Sequence, residues 1–235
     1  MSSKVTFYIA RHGKTILNTL GRVQGWSDSP LTEAGVEVAE FLGAGLRDIH
    51  FSSAFCSDLR RTKETINIIL ANQGQNDLKV IEKKELREVC FGSYESNHTH
   101  IMWKDAALYL HYTNSGDLLH DVFDVSKPVT YEQVVNTIKV LDEMNMAESF
   151  IEVESRTQKA LFEIAESESK YNEDRNVLLV AHGMCIKFML MNLGARELIK
   201  SDLGNASISK VIYENGEFYV EAMGDMSYVE RGRLL

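Results

Sequence analysis

The sequence predicts a layered α/β fold built on a mostly parallel sheet. Three observations carry this. Residues 4–10 (KVTFYIA) and 177–181 (VLLVA) are nearly unbroken apolar runs, as in strands buried on both faces. Stretches of helical apolar spacing lie between them. Near the end, Asn215-Gly216 parts two strand-like runs, 208–213 and 217–222, the signal of a two-residue type I′ hairpin.

Taken in order, the first strand runs into Arg11-His12-Gly13. A helix over 32–46 opens at Thr32 and lines up Val38, Leu42 and Leu46. The next places Leu59, Thr62, Ile66, Ile69 and Leu70 on one face, with Ser57 as its expected N-cap. Residues 96–150 read as a helical insertion over one sheet edge, with helices near 100–112 and 130–145. Polar turns are expected between them at 114–117 and 126–128. Val153, Thr157, Ala160, Leu161, Ile164 and Ala165 form a last stripe before the second buried strand, which ends at His182-Gly183.

Composition narrows the function. The 235 residues suit one α/β domain spanning 1–235, with the insertion inside it, and its 44% hydrophobic content can fill a core. A formal charge of −9 disfavours nucleic acid as a partner. Five of those negative charges fall in residues 96–150, which contain no arginine. The chain has no apolar run of membrane-spanning length and no signal-peptide pattern, so no membrane partner is expected. Three cysteines (Cys56, Cys90, Cys185) fit a reducing, cytoplasmic setting better than a disulfide framework. The insertion's His98, His100, His111 and His120 show no recognised zinc spacing. His98 is the one expected to reach substrate.

Ligands of open α/β sheets bind beyond the carboxyl ends of the strands. Here two such ends carry His-Gly. If the strands are parallel neighbours, His12 and His182 converge, and each glycine allows a tight turn and close approach by a ligand. A helix starting near Met184 would aim free N–H groups at the same place, favouring an anion.

These residues sit in a longer series. Arg11-His12-Gly13-Lys14-Thr15 with Asn18 is followed by 23–35 (VQGWSDSPLTEAG), then 57–62 (SDLRRT), Leu86-Arg87-Glu88 and Phe91-Gly92. Glu148-Ser149, Ala181-His182-Gly183 and Asn205-Ala206-Ser207 complete it. In this order the series resembles the histidine phosphatase superfamily, also called phosphoglycerate-mutase-like. The resemblance implies a three-layer sandwich with a mostly parallel central sheet, helices on both faces, and a helical insertion (a lid over 96–150) at the C-terminal strand edge. It implies His12 as nucleophile, Arg11 and Arg61 as a phosphoryl clamp, His182 as a further donor and Glu88 as proton donor. Asn18, Gln24, Gly25, Gly183 and Met184 would complete the phosphate pocket. Arg60 is the rival of Arg61, and Glu85 of Glu88.

The resemblance further implies no cofactor and no metal, with a small phosphorylated metabolite as partner. Family mutases draw extra cations from an Arg-Arg pair and a Lys in the insertion, and no such set is visible here. The acidic insertion is expected to repel a second phosphate. The reading is therefore a metal-independent phosphomonoester hydrolase acting through phosphohistidine. A cofactor-dependent phosphoglycerate mutase is the alternative, and a non-catalytic binding relative a more distant one. Oligomeric state, including a homodimer, stays open.

Overall fold

Branched and aromatic residues of the predicted strands form one six-stranded sheet in the structure, a computed structural model describing residues 3–124 and 126–235. Its strands are β1 (Val5–Arg11), β2 (Ser53–Cys56), β3 (Val80–Glu82), β4 (Arg175–Ala181), β5 (Ile208–Glu214) and β6 (Glu217–Asp225). Their order is β3-β2-β4-β1-β5-β6. The first four in that order run parallel, and β5 and β6 are antiparallel. Between β5 and β6, Asn215 (φ +55°) and Gly216 (φ +84°) adopt the left-handed conformations that a type I′ turn requires.

Because side chains alternate along a strand, β1 feeds two cores. Val5, Phe7 and Ile9 pack with Leu161 and Ile164 of α7 (Phe150–Ser169) and Ile186 and Met189 of α8 (Gly183–Leu190). Tyr8 and Ala10 face Leu42 of α2 (Glu33–Gly45), Ile66 and Ile69 of α3 (Arg60–Gln73), and Val229 of α9 (Ser227–Arg233). Helices therefore cover both faces, completing the three layers.

Capping chemistry sets the helix starts. Thr32 Oγ1 accepts from Gly35 N at 3.1 Å, and Ser149 forms a reciprocal capping box with Glu152. Ser57 does not cap α3. Its Oγ accepts from Leu59 N at 3.4 Å, one turn residue early, and Leu59 holds the N-cap position without a side-chain bond.

Among the described residues between 96 and 149, three helices stand where two were expected: α4 (Thr99–Tyr109), α5 (Ser115–Phe123) and α6 (Tyr131–Leu141). The polar stretch at 114–117 is the start of α5, since the Asn114 side chain accepts from Asp117 N at 2.9 Å. These helices share a third core with Phe150 and Phe188. Among the described residues, no helix is long and apolar enough to cross a membrane.

Candidate active site

β1 and β4 pair in parallel with Arg11 opposite Ala181, so the next residue of each strand is a histidine at the same level. The rings of His12 and His182 lie 5.3 Å apart, both buried. His12 Nδ1 is 2.8 Å from Gly13 O, and only a protonated Nδ1 can bond a carbonyl, so Nε2 carries the lone pair. His182 Nδ1 is 3.1 Å from Arg61 Nε. A guanidinium only donates, so this Nδ1 is the acceptor and His182 Nε2 carries the proton. Burial holds His12 well below the ordinary histidine range, and the Arg61 and Arg11 charges add to it. Burial likewise lowers His182, followed by Arg61 and His12. Both rings are neutral at pH 7.

Two buried donors here have no partner among the described residues: His182 Nε2 and Arg11 Nε. Arg11 is otherwise fixed by a bond from Nη1 to Leu203 O. A lone-pair nitrogen beside unpartnered N–H groups can attack an electrophile while its oxygens are held.

Arg61, and not Arg60, is the buried arginine; Arg60 lies outside and pairs with Glu64. The N–H groups of Arg61 are directed at protein. Besides His182, they reach Asp28 Oδ1 and Ser27 O at 3.0 Å, Gly25 O at 2.8 Å and Gln24 O at 3.5 Å. Arg61 thus bonds the His182 ring and the 24–28 segment, and its charge stands beside both imidazoles.

Glu88 is buried and Glu85 only partly so. The Glu88 carboxylate accepts from Cys185 N (2.7 Å), Met184 N (3.1 Å) and Val89 N (3.0 Å). At the start of α8, the N–H groups of Met184 and Cys185, expected to be free for an anion, therefore bond this carboxyl group. A Cβ at Gly13 would lie 2.5 Å from Gly35 O, so chain packing demands glycine there. At Gly183 a Cβ would meet Arg11 Nε at an ordinary 3.4 Å.

A cavity of about 180 Å³ opens against Arg11, Gln24, Glu88, Gly183 and Met184, while His12, Arg61 and His182 are not on its wall. Gln24 is anchored by Thr15 Oγ1 at 2.6 Å, and Gly25 N donates to Glu95 at 3.1 Å. Asn18 is not on the wall either; its side chain accepts from Thr15 N in a capping box at α1 (Ile16–Thr19). Residues 96–150 contribute Thr99, Met102, Trp103 and Tyr131, all uncharged, so their acidic surplus does not face the cavity. His98 is exposed and off the wall, with its ring 5.3 Å from that of His100. His111 and His120 are also exposed. Among the described residues, no three His, Cys, Asp or Glu side chains gather as a metal set.

Sequence reasoning missed several supports. Glu95 accepts from Gly25, Trp26, Ser27 and Phe91 N, pinning the loop whose carbonyls receive Arg61. Arg22 and Asp202 lend charge to the cavity wall, and Asp202 Oδ1 binds the buried Lys187 Nζ at 2.6 Å. Arg156 joins Glu148 to the backbone around Glu88. The one available signal was a polar residue breaking an apolar stripe, at Lys187 in α8. The cysteines behave as packing residues, and burial pushes the Cys185 thiol up to about 12.

The sequence profile of the histidine phosphatase superfamily (branch 1) matches residues 7–121 and 126–226. A protein of Yersinia pestis (strain Pestoides F) described as "Probable phosphoglycerate mutase GpmB" is 28% identical over 231 residues, 95% of this chain and 94% of that protein. The crystal structure of a phosphoglycerate mutase from Bacillus anthracis superposes with a TM-score of 0.92 at 39% identity, covering 99% of this chain and 98% of that one. A phosphoserine phosphatase from Entamoeba histolytica, solved with 3-phosphoglyceric acid, shares the fold at a TM-score of 0.66 and 23% identity, covering 96% and 99%.

Proposed function

The chain belongs to the histidine phosphatase superfamily, and on that premise we propose that it is a metal-independent phosphomonoester hydrolase working through phosphohistidine. The observation that supports this most is the pair of buried, unpartnered donors, Arg11 Nε and His182 Nε2, beside the His12 lone pair. An unsatisfied buried donor costs about 1–3 kcal/mol, and phosphoryl oxygens are acceptors that relieve it.

His12 Nε2 attacks phosphorus in line as the bond to the leaving oxygen breaks, and Glu88 gives its proton to that oxygen. The Nδ1–H bond to Gly13 O supports the positive charge that the ring acquires. Arg11 and His182 stabilise the charge on the phosphoryl oxygens. Water then attacks phosphorus, Glu88 takes its proton, and the P–N bond breaks to release phosphate and neutral His12. Arg61 acts through His182 and through the 24–27 loop. The cavity favours a small phosphorylated metabolite, and helices α4 to α6 act as its lid. Free, buried cysteines support a reducing, cytoplasmic setting.

Mutase chemistry is the second reading, favoured by the names of the Yersinia and Bacillus relatives. Against it, residues 96–150 bring no cation to the cavity wall. Phosphate release and phosphoglycerate interconversion measured side by side, in EDTA, test the two. Hydrolysis should dominate, and His12→Ala should lose both turnover and the acid-labile phosphoenzyme. Efficient interconversion primed by a bisphosphate would replace this reading with the mutase.

A further inference from the structure

The segment bearing Glu88 has little regular structure of its own. A single turn over residues 84–86 leads into it, and Glu88 follows in irregular chain. Its carboxylate is nonetheless held to three backbone N–H groups, two of them at the start of α8. The other side of the segment is held by Arg156, on α7.

Arg156 Nη1 donates to the carbonyls of Glu85 and Arg87, both at 2.7 Å, and Nη2 to that of Glu88 at 2.9 Å. Its remaining reach is a two-pronged bond to Glu148, Nε to Oε1 at 2.7 Å and Nη2 to Oε2 at 2.8 Å. Glu148 closes the frame by accepting from Cys90 N at 2.9 Å, while its own N donates to Cys90 O at 3.0 Å. Trp26 Nε1 adds a bond to Glu88 O at 3.1 Å. Three carbonyls aimed at one point need a permanent, planar, many-donor cation, which a compact ammonium does not match. Arg156 is absent from the cavity wall, so it does not meet substrate.

We propose that Arg156, oriented by Glu148, is the positioning residue that sets the reach of the Glu88 proton to the leaving oxygen. This rests on the reading of Glu88 as the proton donor. Protonation matters most when the leaving group is a poor one, so an error in placing the donor discriminates among esters. A displacement near 1 Å is enough to cost about 100-fold.

The experiment compares 4-nitrophenyl phosphate, phenyl phosphate and glycerol 3-phosphate as substrates of the full-length parent, Arg156→Gln, Arg156→Lys, Glu148→Gln and Glu88→Gln. With Arg156→Gln, kcat/KM, which reports the steps up to transfer onto His12 and not the hydrolysis shared by all three esters, should fall about 100-fold for glycerol 3-phosphate and less than about 10-fold for 4-nitrophenyl phosphate. Arg156→Lys should fall between, because charge returns without the fork. Glu88→Gln should show the same slope, more steeply. If Arg156→Gln does not fold, Glu148→Gln carries the test, since it loosens the guanidinium and keeps an acceptor for Cys90 N. An equal loss for all three esters, or no loss, alongside a steep Glu88→Gln slope would overturn the positioning role alone. A flat Glu88→Gln slope would overturn the reading of Glu88, and this proposal with it.

Discussion

Changing Glu95 to Gln should cost about 3 kcal/mol of stability and much of the activity. Glu95 Oε1 accepts from Trp26 N at 2.9 Å and Phe91 N at 3.0 Å; Oε2 accepts from Gly25 N at 3.1 Å and Ser27 N at 2.9 Å. A glutamine keeps one oxygen and turns an NH2 group toward the other pair of donors. Two charge-assisted bonds disappear, each contributing about 1.5–3 kcal/mol, with the lower end fitting a half-exposed site. The lost bonds also free a loop whose carbonyls hold Arg61, and Arg61 sets the His182 tautomer. The assay pairs urea unfolding with turnover of an aryl phosphate. At an m-value near 3 kcal/mol/M, the midpoint should drop by about 1 M. A variant within about 1 kcal/mol of the parent and equally active would refute the argument.

Two further predictions concern buried charge. The folded-state pKa values of His12 and His182 lie well below 6.5, so the unfolded chain binds more protons once the pH drops past that value. Stability should therefore be full above pH 6.5 and fall on acidification, by about 1.4 kcal/mol per pH unit per histidine until the folded values are reached. Unfolding measured between pH 7.5 and 5 checks this, and a slope unchanged by His182→Gln would contradict it. Lys187 is buried and bonds Asp202 and the Tyr131 hydroxyl, while Asp202 reaches the surface. Lys187→Met should be close to neutral, whereas Asp202→Ala should cost about 3 kcal/mol by leaving a buried ammonium unpaired. Equal losses in the two denaturation curves would show that burial is not what separates them.

The sheet, both buried strands, the hairpin and the two histidines were legible because each has a local cause: apolar period, a left-handed Asn-Gly pair, or a strand ending in His-Gly. Helix α5 was not, since it buries a single large residue, Leu118, and its capping Asn114 reads as a turn. Arg61 and Glu88 could be chosen over Arg60 and Glu85 only by resemblance, because burial decides both pairs and adjacent charged residues give no sign of it. Glu95 and Arg156 stayed invisible for a different reason. Their partners are backbone N–H and carbonyl groups up to 71 residues away, which have no sequence identity to recognise. The insertion's total charge says nothing about which of its side chains turn inward, and those that line the cavity are uncharged.

The in-register pairing of β1 with β4 has a consequence for how this protein can change. The spacing of its two histidines is a property of the ladder, and a slip of one strand by one residue would leave the two side chains on opposite faces. The cavity's outer wall comes instead from α4 and α6, through Thr99, Met102, Trp103 and Tyr131, none of which belongs to that ladder. The spacing of the histidines and the shape of the cavity's outer wall are thus carried by different parts of the chain. The wall can be redrawn by substitution in α4 and α6 with the paired histidines left as they are.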